Sequence, residues 1–297
     1  MIELTTALRR FSLIAFSLLL SQSSFAADDR FANVEIKAQQ LSANTYMFTG
    51  SGGNIGVSAG KDGIIIIDNQ FAPLAGKISA ALNDIQPGLP RYVINTHYHG
   101  DHTGGNNTFG VSGTIFAHNN VLKRLASNDK YTPAALPSIT YEQGTSIHFN
   151  GDTLHLIHIG AGHTDGDSVV LWADKSVVHM GDLFFKDRWP YVDLNAGGSV
   201  KGYRDSVANI INQIDSNTKV IPGHGELATK NDLIRFKHIL DASINWMESQ
   251  LASAKSLEIL KENGLPKHLQ GWSWNFISDE RWIETLYQDL SHSNAKP

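Results

Sequence analysis

Three histidines and one aspartate fall within six positions of the stretch Thr96-His97-Tyr98-His99-Gly100-Asp101-His102-Thr103-Gly104-Gly105. Imidazole nitrogens and carboxylate oxygens are good ligands for a borderline divalent cation such as Zn²⁺. His97 and His99 are two residues apart, so on an extended backbone they point to the same side. Four ligand-type side chains exceed what one small ion usually takes from a single loop, which points to two ions side by side. Gly100, Gly104 and Gly105 are expected to supply the backbone angles of a tight turn.

Such a loop has to be delivered by rigid elements. The apolar run Tyr92-Val93-Ile94 directly before it reads as a strand. Upstream, 34–49 reads as two strands with a turn near Ser42, followed by strands at 55–59 and 63–68. The run Ile64-Ile65-Ile66-Ile67 does not alternate with polar residues, so its strand should be buried on both faces. Residues 73–83 carry Ala and Leu at helical spacing, with Pro73 near the start. A strand at 114–117 and a helix at 119–126 follow. Short strands separated by Gly- and Asp-rich turns are predicted at 146–149, 153–159, 168–172 and 176–180. A helix at 200–214 and a strand at 219–221 complete the pattern. From 229 the chain turns helical, with an amphipathic helix over 232–254, a second ending at Asn263-Gly264 and a third from Ser278 to about Ser291. Two β-rich halves with helices outside suggest two packed sheets flanked by helices, an α+β arrangement. Trp272, Trp274, Phe276 and Trp282 cluster in the tail, where they are expected to pack it onto the sheets; the other reading is that one or two overhang a cleft.

With 297 residues the chain can form one large domain or two small ones. Its 41% hydrophobic and 18% charged content is that of an ordinary globular protein. It has no cysteine, which removes disulfides, thiolate ligands and a Cys nucleophile. The net charge of −5 argues against a nucleic-acid partner. Arg9 and Arg10, the apolar segment from Phe11 to Leu20 and the small residues Ser24 and Ala26 read as a secretory signal peptide over 1–26, cleaved after Ala26. The segment is too short to span a bilayer comfortably, so the expected location is periplasmic or secreted, with no stable membrane anchor after cleavage.

Further ligand-type residues stand beside glycines at three predicted strand ends. They are Gly160-Ala161-Gly162-His163, His179-Met180-Gly181-Asp182 and Ile221-Pro222-Gly223-His224. The spacing His-x-His-x-Asp-His, followed by these three stretches in this order, resembles the metallo-β-lactamase superfamily over about residues 45–226. The resemblance implies a four-layer αβ/βα sandwich over 27–228, with 229–297 as a helical C-terminal extension packed on it. It also implies that His97, His99 and His163 bind one metal, that Asp101, His102 and His224 bind a second, and that Asp182 bridges them. His118, His148, His155, His158, His179 and His238 fit no motif and read as surface or structural histidines.

Within that family the ligand set is similar to the glyoxalase-II type. The lactamases with Cys in the second site have it at the place of Asp182, and a Lys three residues on, where this chain has Phe185 and then Lys186. The resemblance implies two Zn²⁺, with iron or manganese as alternatives, sharing a hydroxide of lowered pKa that Asp101 orients for attack. Lys186, Arg188, Lys201 and Arg204 are candidates, one of them to pair with an anionic small-molecule substrate, and Trp189 and Tyr191 are candidates for the cleft wall. The leading expectation is an exported hydrolase opening a cyclic amide or ester, with weak β-lactam hydrolysis its best single example. A thioesterase, lactonase or phosphodiesterase, an iron-dependent persulfide oxidation, and a non-enzymatic metal-binding accessory of a periplasmic redox system stay open beside it. The flavodiiron type is disfavoured, because it has Glu where this chain has His99.

Overall fold

The computed structural model describes residues 29–293. The expected signal peptide over 1–26 and its cleavage point lie outside the described residues. Among these residues the chain forms two sheets. The first runs in sequence order through β1 (Lys37–Gln40), β2 (Thr45–Thr49), β3 (Ile55–Gly60), β4 (Gly63–Ile67), β5 (Tyr92–Ile94), β6 (Thr114–His118) and β7 (Ile139–Tyr141). Pairing is antiparallel from β1 to β4 and parallel from β4 to β7. Helix α1 (Ala75–Asn83) makes the first crossover. Two single helical turns, α2 (Gly100–Thr103) and α3 (Asn106–Phe109), carry the second, and α4 (Asn119–Ala126) the third.

The second sheet contains β8 (Gly144–Phe149), β9 (Asp152–His158), β10 (Ser168–Trp172), β11 (Val177–His179), β12 (Lys219–Ile221) and β13 (Ala228–Thr229), in spatial order β13-β12-β11-β10-β9-β8. Helix α5 (Val200–Gln213) connects β11 to β12, which pair parallel. The chain then continues through α6 (Lys230–Ala252), α7 (Leu257–Asn263) and α8 (Asp279–Ser293). Helix α6 starts at a reciprocal cap, in which the Thr229 hydroxyl and the Asp232 carboxylate each satisfy the other's backbone N–H.

The four-isoleucine strand shows why the layers stack. Alternate side chains of a strand face opposite ways. Ile65 and Ile67 enter the inter-sheet core with Leu154, Leu156, Val170 and Trp172. Ile64 and Ile66 pack outward with Ile78 and Leu82 of α1. The outer face of the second sheet does the same with Val169, Leu171, Val178 and Val220, which share one apolar cluster with α5, α6 and α8. The result is helix, sheet, sheet, helix. None of the described helices is long and apolar enough to cross a membrane.

Two expectations are corrected. The segment after β5 is built of helical turns, and none of Gly100, Gly104 and Gly105 has a positive φ. At Gly104 the requirement is space, because a Cβ would lie 2.6 Å from both the Ala72 amide nitrogen and the Gly100 carbonyl. Strands β7 and β13, of three and two residues, were unexpected: segments this short carry no readable period.

Candidate metal centre

All the ligand-type residues lie beyond strand ends, on one edge of the sandwich. β5 delivers His97, His99, Asp101 and His102; β9 delivers His163, β11 Asp182 and β12 His224. Both sheets therefore contribute. The structure brings all seven residues together as two groups of donor atoms, one of His97, His99, His163 and Asp182, the other of Asp101, His102 and His224.

Asp182 stands between the groups. Its Oδ2 lies 3.5 Å from His163 Nε2 and 3.8 Å from His97 Nε2. Its Oδ1 lies 3.1 Å from His102 Nε2 and 3.3 Å from His224 Nε2. Asp101 Oδ2 closes the second group, 3.3 Å from His224 Nε2 and 3.6 Å from His102 Nε2.

The outward ring nitrogens are tied down. His102 Nδ1 is 2.7 Å from Asp68 Oδ2, His163 Nδ1 2.7 Å from the Tyr191 carbonyl, and His97 Nδ1 3.1 Å from Thr96 Oγ1. His99 is turned the other way. Its Nε2 is 3.1 Å from Asp193 Oδ2, and its Nδ1 faces His163 Nε2 at 2.8 Å. Partners of this kind fix which nitrogen is free to ligate.

The residues fit a divalent cation. Five imidazoles and two carboxylates, with no thiolate, are a nitrogen and oxygen set suited to zinc, iron or manganese. His97 Nε2 is buried with no hydrogen-bond partner among the described residues. Buried polar atoms are rarely left so unless something else meets them.

Charge is divided unequally. Burial, then the neighbouring His102, push His97 well below an ordinary imidazole, and burial takes His163 down to about 4. On the other side burial also works against the charged form. There Asp182 first, then Asp101 and Asp68, raise His102, and Asp182 with Asp101 raises His224 to about 9. Burial would raise the carboxyls of Asp101 and Asp182, but His102 and His224 outweigh it and hold both low.

Three residues of the surroundings escaped the sequence reading. Asp68 is fully buried, in a left-handed backbone conformation at φ 63°, and accepts from the Thr96 amide and hydroxyl besides facing His102. The available signal was an acid ending a strand buried on both faces, since such a group needs a partner. Asp193, which also accepts from the Tyr98 hydroxyl at 2.7 Å, had no local signal. Nor had Tyr203 on α5, whose hydroxyl donates to the Asp182 carbonyl at 2.6 Å.

A cleft of about 450 Å³ opens on the centre. It is lined by His99, Asp101, Asp182 and His224, together with Phe71, Phe185, Tyr191, Trp274 and Phe276. Of the expected substrate contacts, Tyr191 lines the cleft and the others lie elsewhere. Trp189 is fully buried, stacks on Trp282 at 5.1 Å and donates from Nε1 to Asp279 Oδ1, so it is core and not cleft wall. Lys186 Nζ donates to the Leu227 carbonyl, and the Arg188 guanidinium lies 5.1 Å over the Trp274 ring; neither lines the cleft. The aromatic tail divides: Trp282 packs the extension, and Trp274 and Phe276 reach the cleft.

A model of the metallo-beta-lactamase superfamily matches residues 48–224. The chain is 30% identical over 152 residues to a metallo-beta-lactamase type 2 of Bacillus cereus, covering 50% of this chain and 56% of that protein. It is 35% identical over 103 residues to an uncharacterized protein of Mycobacterium tuberculosis, covering 33% and 45%. It thus spans about half the length of the curated relatives it matches. Among solved structures, a metallo-beta-lactamase from Pontibacter korlensis superposes with a TM-score of 0.60 at 18% identity, over 70% of this chain and 99% of that one. The DIM-1 metallo-beta-lactamase does so with 0.60 at 17%, over 71% and 99%. Likeness at such identities speaks for the fold alone.

Proposed function

The chain belongs to the metallo-beta-lactamase superfamily, and from that premise we propose that it is an exported hydrolase. It would use two zinc ions to open a cyclic amide or ester, a β-lactam being the leading candidate. The observation that carries this reading is Asp182, each of whose oxygens faces a separate group of histidines. When bound, the ions supply polarisation of the scissile carbonyl and a nucleophile at neutral pH. His97, His99 and His163 would hold one ion, and Asp101, His102 and His224 the other, with Asp182 between. Asp101 lines the cleft, so its carboxylate can orient a water there. Asp193 and Asp68 keep His99 and His102 in the tautomers that leave the inward nitrogens free. No Ser or Cys nucleophile is required.

The test is hydrolysis of a chromogenic cephalosporin by the protein lacking residues 1–26, with metal counted on the same sample and Asp101→Ala as control. Turnover with about two zinc ions per chain, abolished in the control, is the expected result. Two zinc ions without turnover would move the substrate to thioesters and lactones. That second reading is favoured by one observation: among the described residues, no Lys or Arg lines the cleft. Iron in place of zinc would overturn the proposal.

A further inference from the structure

Trp274 and Phe276 lie outside residues 48–224, on the loop between α7 and α8, yet they complete the cleft wall. They meet each other at 5.6 Å between ring centroids. Trp274 also lies 6.1 Å from Phe185, which stacks on His224 at 4.9 Å. Phe276 lies 5.5 Å from Tyr191, itself 5.7 Å from His99. Aromatic faces therefore run without a break from one group of ligands to the other.

The wall is fixed in place. Trp274 Nε1 donates to the Trp189 carbonyl at 2.9 Å, and its backbone N–H to the Ile277 carbonyl at 3.0 Å. Arg281 donates to the Phe276 carbonyl at 2.9 Å while its guanidinium covers the Phe276 ring at 4.5 Å. Holding Phe276 rigid with 48% of its surface exposed leaves apolar area in water beside a polar centre. An apolar occupant of the cleft would recover that area. The cleft's size suits a small molecule.

We propose that Trp274 and Phe276 are specificity-determining residues that receive a neutral aryl substituent carried next to the scissile bond, so that substrates with an aryl group there are preferred to those with a small one. This rests on the hydrolase reading above, and its test does not need turnover. Binding of acetohydroxamate and of phenylacetohydroxamate to the zinc-loaded protein is measured by calorimetry. The expected result is a phenyl-over-methyl preference of about tenfold, from the apolar area buried and the packing of the phenyl ring against the aromatic wall. In Trp274→Ala/Phe276→Ala the ratio should fall to about one. An equal affinity for the two probes in the unaltered protein, or a preference that survives the double variant, overturns the proposal. Should Trp274→Ala not fold, Phe276→Ala at its exposed position carries the test alone. Failure of the protein to take up zinc at all overturns the metal centre and not the aromatic wall. The neutral probe naphthalene-2-methanol then reads the wall by broadening of its proton resonances, a broadening the Phe276→Ala variant should lose.

Discussion

Asp182 and Asp68 are both buried carboxylates, and they do opposite work. Asp182 turns its two oxygens toward two groups of donors, whereas Asp68 spends its own on Thr96 and on the outward nitrogen of His102. A ligating imidazole whose other nitrogen has no acceptor is free to rotate or to take the wrong tautomer. Replacing Asp68 with Asn keeps the shape and removes the charge. We expect Asp68→Asn to fold and to bind metal at the group of Asp101, His102 and His224 about 10–100-fold less tightly. A chelator competition titration measures this. Unchanged affinity would mean that Asp68 serves only the backbone at Thr96.

The elements set how closely the loops approach. Gly223 sits after β12, where a Cβ would overlap Asp182 Oδ1, and Gly53 packs its bare Cα against the His102 ring. These are close approaches between loops from different strands, and a methyl group would force them apart. Gly223→Ala is expected to retain the circular dichroism of the fold while losing at least about tenfold in metal affinity, since a displacement of about 1 Å is costly in a site of this kind. Tight binding by this variant would show that the Asp182 loop can yield. On the far side of the second sheet, α5 reaches the same loop through Tyr203, so the helical layer supports the centre as well as the core.

At the scale of the molecule, the metal-free protein buries imidazoles of opposite preference. His163, taken down to about 4, favours folding above about 6.5 and loses that contribution as pH falls toward 4. His224, raised to about 9, contributes below about 6.5 and loses it as pH rises through 9. The metal-free Tm should therefore peak near pH 6.5 and fall on either side. Bound metal, which needs both imidazoles neutral, should abolish the alkaline fall. Thermal unfolding at pH 5, 6.5 and 9, before and after loading with zinc, reads both effects. An alkaline fall that persists in the zinc-loaded protein would place its cause outside the centre.

The sequence by itself marked the candidate donors and their order along the chain, the full set being what the family resemblance implies. Residue type and short spacing are local properties, and glycine beside His or Asp at a strand end is visible without a partner. It also determined the doubly buried strand at Ile64–Ile67, because a run of β-branched residues has few other places to go. The tertiary structure decided which distant residues meet. Asp193 reaches His99, and Tyr203 reaches Asp182, across stretches that share no period. Trp189 and Trp274 belong to the same aromatic class, yet packing sends one into the core and the other to the cleft. Aromatic rings satisfy either environment, so only the competition for space among the helices and loops assigns them.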